Sequence, residues 1–139
     1  EGARVLDGYA GTGAVGIEAL SRGAMHVTFV ERDPRAAALV ESNLAACAVE
    51  RGYTIQRGDV ASVVRQMDPD VKFDLVFLDP PYEVEDVSSA LEAVESRLSA
   101  KGRVVLERAT RREPRVPVTF QRVRDVKSGD STLTFLVPK

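Results

Sequence analysis

A chain of 139 residues with 44% hydrophobic content is long enough to bury one core and fold as a single domain over residues 1–139. No apolar run approaches the roughly 20 residues that cross a bilayer, no basic-then-apolar leader opens the chain, and the lone cysteine, Cys47, excludes an internal disulfide, so a soluble intracellular protein is expected. The net charge of −2 hides an asymmetry: residues 1–96 hold 8 Lys+Arg against 17 Asp+Glu, and residues 97–139 hold 11 against 4, a basic part that suits a polyanion as well as it suits scattered solubilising charge.

In chain order, Arg4–Tyr9 is a short apolar strand, and the turn Gly11-Thr12-Gly13 leads into a helix at about Ala14–Ser21. Val27–Glu31 is a second strand. Asp33 then makes an N-cap with Pro34 at the first helical position. The helix that follows sets Ala37, Val40, Leu44 and Cys47 on one face, with Cys47 expected as a small core residue. Asn43 on that helix is expected to bond the backbone locally. Tyr53–Gln56 is a third strand, followed after Asp59 by a short helix carrying Val60, Val63, Val64 and Met67. Phe73–Leu78 is nearly all apolar, as a strand covered on both faces should be. Val87, Ala90, Leu91, Val94 and Leu98 form the next helical stripe, and Arg103–Leu106 a fifth strand. Val118–Val123 and Thr132–Val137 close the chain as a hairpin joined through Lys127-Ser128-Gly129-Asp130. The alternation implies an α/β, doubly wound, mostly parallel seven-stranded sheet with helices on both faces and an antiparallel C-terminal hairpin.

Open parallel sheets bind ligands outside the carboxyl ends of their strands, where strand order reverses. Asp7, Gly8, Tyr9, Ala10, Gly11, Thr12 and Gly13 sit at that end of the first strand, with Asp7 placing a carboxylate suited to an ammonium or sulfonium. Glu31, 20 residues after Gly11 and followed by Arg32, stands where an acid accepts ribose hydroxyls. Asp59, at the end of the third strand and followed by Val60, suits an adenine amino group. Such a set fits S-adenosylmethionine. The literal Gly11-x-Gly13-x-x-Gly16 match and the Glu31 spacing also fit a dinucleotide site, but a pyrophosphate beside Asp7 would be repelled.

Asp79, Pro80, Pro81 and Tyr82 end the fourth strand, one strand from the glycine loop. An exocyclic base amine is a poor nucleophile because its lone pair is delocalised into the ring. The Asp79 carboxylate and the Pro80 carbonyl can accept its two N–H bonds and push the nitrogen toward tetrahedral geometry, and proline aims that carbonyl in advance. Tyr82 offers a face for a base taken out of its stack. As a bare tetrapeptide the same residues would merely stop a strand.

These residues resemble a family. Leu6 to Gly13, running on through Glu18-Ala19-Leu20-Ser21-Arg22-Gly23-Ala24, then Glu31, then Asp79 to Tyr82, are similar to the bacterial 16S rRNA guanine-N2 methyltransferases of the RsmD type, over essentially the whole chain. The resemblance implies a Rossmann-like methyltransferase fold, S-adenosylmethionine held by the glycine loop and Glu31, a guanine held by Asp79 to Tyr82, and 16S rRNA or the small ribosomal subunit as cytoplasmic partner, met by a monomer without metal or membrane. Two departures stand out: a basic N-terminal segment usual in the family is missing, and Ser128 replaces an aromatic before Gly129-Asp130. Arg108, Arg111, Arg112 and Arg115 form a candidate phosphate-contacting strip. Glu107 is a lesser candidate for the substrate mouth, equally readable as a surface salt bridge, and His26, the only histidine, cannot build a metal site. The competing readings are a DNA adenine-N6 methyltransferase, which shares Asp-Pro-Pro-Tyr but normally carries a target-recognition domain, a catalytically silent binding module, and a dinucleotide oxidoreductase, which leaves Asp79 to Tyr82 unexplained.

Overall fold

The computed structural model describes residues 2–81 and 87–139. Strands β1 (Arg4–Asp7), β2 (His26–Glu31), β3 (Tyr53–Arg57), β4 (Phe73–Leu78), β5 (Leu98–Ala109), β6 (Phe120–Ser128) and β7 (Ser131–Pro138) alternate with helices α1 (Ala14–Ser21), α2 (Pro34–Ala46), α3 (Val60–Gln66) and α4 (Ser88–Glu95) until β5. Among the described residues they form one sheet in the order β3-β2-β1-β4-β5-β7-β6, parallel from β3 to β5 and antiparallel where β7 joins β5 and β6 joins β7. The order reverses between β1 and β4, so their carboxyl ends open a crevice.

Both faces are covered, and the residue alternation of β1 shows how. Val5 packs with Val27, Phe29, Val40 and Leu44 in a core shared with α1 and α2. Its neighbour Leu6 packs on the other side with Val64, Val76, Leu91 and Val94, under α3 and α4. Gly16 explains the third glycine of the literal fingerprint: a Cβ there would meet Phe29 Cε1 and lie 2.7 Å from Phe29 Cζ and 2.9 Å from Val27 Cγ1. α1 therefore lies against β2 with no room for a methyl group. Gly16→Ala should destabilise the fold by about 1–3 kcal/mol through overpacking, read as a lower midpoint in urea with an unchanged slope.

Several boundaries differ from expectation. β1 ends at Asp7, because Gly8 and Tyr9 turn away from the sheet, and Asp59 lies beyond β3 as the N-cap of α3. Met67 is the C-cap of α3. Leu98 is not the last turn of α4: the helix stops at Glu95, and Leu98 opens a β5 that starts well before Arg103. Arg97 holds that corner, its guanidinium bonding the carbonyls of Asp68 and Met67 (2.5 and 2.9 Å) while its own carbonyl accepts from Phe73 N at 2.6 Å. β6 starts at Phe120, not Val118, and runs on to Ser128, leaving only Gly129 and Asp130 for the turn. Cys47 is not a core residue: it is the exposed C-cap of α2, one step after the helix leaves the Ala37–Val40–Leu44 stripe.

Candidate active site

The loop after β1 is fastened from every side. Gly8 N donates to Phe77 O of β4 at 2.9 Å, and Ala10 N donates to Val30 O of β2 at 3.0 Å. Gly11 N donates to Glu31 Oε1 at 2.8 Å, while Glu31 Oε2 accepts from Asp33 N at 3.0 Å. A Cβ on Gly8 would lie 2.5 Å from Leu78 Cδ2, so only glycine lets the loop cross the end of β4 this closely. Gly11 and Gly13 take left-handed conformations, φ +56° and +83°, and Gly13 is the N-cap of α1. Asn43, expected to bond locally, instead reaches across from α2 and donates Nδ2 to Thr12 O at 2.8 Å. An amide on the helix that faces the glycine turn was the available signal, and only the folded topology gives it a target 31 residues away.

One cavity of about 740 Å³ opens at the β1–β4 crevice. Asp7 through Thr12, Glu31, Arg32, Asp59 and Val60 line it, and so do Asp79, Pro80 and Pro81, which brings the two expected groups into one space. Gly13 and Arg111 do not line it, and Tyr82 lies outside the described residues. Asp59 uses Oδ2 to cap α3, accepting from Ser62 N at 3.2 Å. Tyr9 keeps its proton more firmly than an ordinary phenol, because of burial and then the nearby Asp59 charge.

Two carboxyls in this cavity are pushed up to about 6. Asp7 is 1% exposed, and burial is the main cause; the Gly16 N–H, 3.2 Å from Oδ2, pulls the other way, and the charges of Asp79 and Glu31 add to the rise. For Asp79 partial desolvation leads and the Glu107 charge follows. Carboxyls poised this close to neutrality inside a cleft are candidates for chemistry.

The arginine strip is reduced by one. Arg108 is turned inward, its side chain 9% exposed, with Nε on Thr134 Oγ1 at 2.9 Å, one terminal nitrogen on Arg112 O at 3.1 Å and the other 3.4 Å from Asp125 Oδ2. It ties the loop after β5 to the hairpin, and its charge is spent inside the protein. Arg111, Arg112 and Arg115 remain exposed on that loop. His26 Nε2 lies 3.0 Å from Thr54 Oγ1 on the neighbouring strand, and burial, then Arg4, lowers its pKa. Among the described residues no group of three or more His, Cys, Asp or Glu could hold a metal ion, and no helix is long and apolar enough to cross a membrane.

Comparison with known proteins agrees with this architecture. YlbH of Bacillus subtilis, provisionally named an rRNA methyltransferase, is 35% identical over 86% of this chain and 65% of its own length. Ribosomal RNA small subunit methyltransferase D of Haemophilus influenzae is 39% identical over 62% of this chain and 45% of its own. The chain thus spans less than two thirds of either relative. A solved Escherichia coli structure, yhhF, provisionally titled a methyltransferase, superposes with a TM-score of 0.84 at 26% identity, covering 96% of this chain and 76% of that one. The fold is therefore the Rossmann-like methyltransferase fold that the motifs implied, and the relatives are those that the RsmD resemblance pointed to. A family model described as Conserved hypothetical protein 95 matches residues 1–137, and the chain belongs to that family.

Proposed function

We propose that this chain transfers a methyl group from S-adenosylmethionine to the exocyclic N2 of a guanine in 16S ribosomal RNA. The observation that carries this reading is the placement of Asp79 and Pro80 at the end of β4, in one cavity with the glycine loop that Gly8 fastens to that same strand. The relatives' names supply the nucleic-acid class.

The cavity's donor set fits the cofactor. S-adenosylmethionine carries an ammonium, a ribose diol, an adenine and a cationic sulfur, and when bound it supplies an electrophilic methyl group. Asp7 would hold the ammonium and Glu31 the diol, whose carboxylate oxygens each keep a second lone pair beside the bonds from Gly11 and Asp33. Asp59 and the backbone at Val60 would meet the adenine, with Tyr9 and Arg32 beside them. A pyrophosphate would instead lie among the carboxylates of Asp7, Glu31 and Asp79.

The chain's own residues account for the rest of the chemistry. Asp79 and the Pro80 carbonyl accept hydrogen bonds from the two amine N–H groups, so the nitrogen lone pair is freed and aimed. With its carboxyl near 6, Asp79 is ionised at neutral pH yet basic enough to receive the proton that the amine sheds after transfer. The place of Tyr82 as a stacking platform rests on the motif alone. Arg111, Arg112 and Arg115 would contact phosphates at the cavity's rim, on 16S rRNA or the small subunit. We assign the chain a cytoplasmic setting, as a monomer that needs no metal.

The test incubates the protein with methyl-labelled S-adenosylmethionine and, in parallel, 16S rRNA, small subunits and duplex DNA, then digests to nucleosides. Label in N2-methylguanosine supports the reading, and label in N6-methyladenine or nowhere overturns it. Changing Arg111, Arg112 and Arg115 together to alanine should weaken RNA binding and reduce the slope of log K against log salt by about 2. An unaltered slope would remove them from the interface.

A further inference from the structure

The site described so far uses one carboxylate at the reacting amine, and a second stands beside it. In the parallel β4–β5 ladder Leu78 pairs with Leu106, and both are buried in the same core. The residues that follow are Asp79, just past the end of β4, and Glu107, still within β5. The two strands run about 4.8 Å apart, and both residues line the cavity. Glu107 is half-buried, and among the described residues no hydrogen bond or ion pair engages its carboxylate. The adjacent cation, Arg108, turns instead toward Asp125, Thr134 and the loop carbonyls. A surface salt bridge therefore does not explain Glu107. Its charge reaches Asp79, where it is the second cause of the raised carboxyl.

We infer that Glu107 selects guanine over other bases, its carboxylate accepting the ring N1–H while Asp79 accepts from the exocyclic amine. The inference rests on the guanine-N2 reading above. Guanine presents N1–H and N2–H as adjacent donors on one edge. Adenine and cytosine present a ring nitrogen lone pair beside their amine, and an ionised carboxylate has no hydrogen to offer it. Two neighbouring carboxylates thus match guanine's edge and repel the other two. A site built around a hydrogen bond rejects an analogue that lacks the donor far more strongly than an apolar pocket rejects a change of size.

The experiment keeps the reacting amine and removes N1–H together with the 6-oxygen, so the Glu107 variants isolate the share that N1–H contributes. Once the labelled guanosine has been mapped, small subunits are assembled with 16S RNA carrying either guanosine or 2-aminopurine riboside at that position. The wild-type protein should prefer guanine by on the order of 100-fold in kcat/KM, the worth of one bond to a charged acceptor. Glu107→Ala should lower kcat/KM for guanine by about the same factor and leave 2-aminopurine within about threefold, so the preference collapses. Glu107→Gln keeps an acceptor oxygen and should retain a preference of roughly tenfold, with an unchanged thermal midpoint. Equal losses on both bases, or a preference that survives in Glu107→Ala, would overturn the inference while leaving the guanine-N2 reading intact. A wild-type protein that labels only adenine, or nothing, overturns both and is recognised before any variant is made.

Discussion

Replacing Asp79 with alanine should cut turnover on RNA by on the order of 10³-fold while leaving the affinity for S-adenosylmethionine within about threefold of wild type. The size follows from what the carboxylate does at the amine: it orients the nitrogen, and it accepts the departing proton. Its separation from cofactor binding follows from the fold. Asp79 hangs from the end of β4, whereas the loop expected to grip the cofactor is held by Phe77 O, Val30 O, Glu31 and Asn43, none of which the substitution touches. The pH profile gives a second readout. With the carboxyl pushed up to about 6, kcat/KM for RNA at saturating cofactor should fall about tenfold for each pH unit below 6, because only the ionised form works. Asp79→Asn keeps one acceptor oxygen, loses the proton acceptor, and should flatten that acid limb. A variant that turns over like the wild type, or that loses cofactor in step with activity, would place the chemistry elsewhere.

How much of this is legible in the sequence depends on how local the physics is. β4 falls on Phe73–Leu78 as its apolar run predicts, and α1 falls on Ala14–Ser21, since its start is set by the glycine turn before it. Asp33 caps α2 through Arg35 N, with Pro34 behind it, as their spacing requires. β6 departs from its expected bounds because an edge strand exposes both faces. Arg122, Arg124 and Lys127 give no apolar alternation to read, and a bulge between Arg122 and Arg124 shifts the register besides. In the candidate site Asp79, Pro80 and Pro81 meet the glycine loop because strand order brings β1 and β4 side by side. Asn43 and Arg108 depart from expectation for the opposite reason. Their partners, Thr12 for one and Thr134 and Asp125 for the other, lie far along the chain, and no local pattern announces them.

Asp7→Asn should make the protein more stable and less able to bind its cofactor. The Asp7 carboxyl is 1% exposed, and its pKa rises from 3.8 to about 6, so the folded chain holds that proton more tightly than the unfolded chain does. The stability this contributes is fully present below about pH 4, declines as pH rises through 6, and is absent at pH 8. A shift of about two units corresponds to roughly 3 kcal/mol forfeited in the ionised state. Asparagine is isosteric, carries no charge to desolvate, and can still accept the Gly16 N–H that Asp7 Oδ2 takes at 3.2 Å. The thermal midpoint at about pH 8 should therefore rise by on the order of 5–10 °C and stay unchanged at about pH 4. Cofactor affinity should move the other way, by about 10²-fold or more, because an ammonium brought into the cavity would lose its buried counter-charge. Calorimetry on the wild-type protein at about pH 6 should also detect about half a proton released from Asp7 on cofactor binding, as the ammonium draws it into its ionised form, and the variant should release correspondingly less. If the Asp7→Asn protein bound S-adenosylmethionine as tightly as wild type, Asp7 would be a strut for α1 and nothing more. A more stable yet non-binding variant would instead mean that the protein carries an unfavourable buried charge for the sake of the ligand that neutralises it.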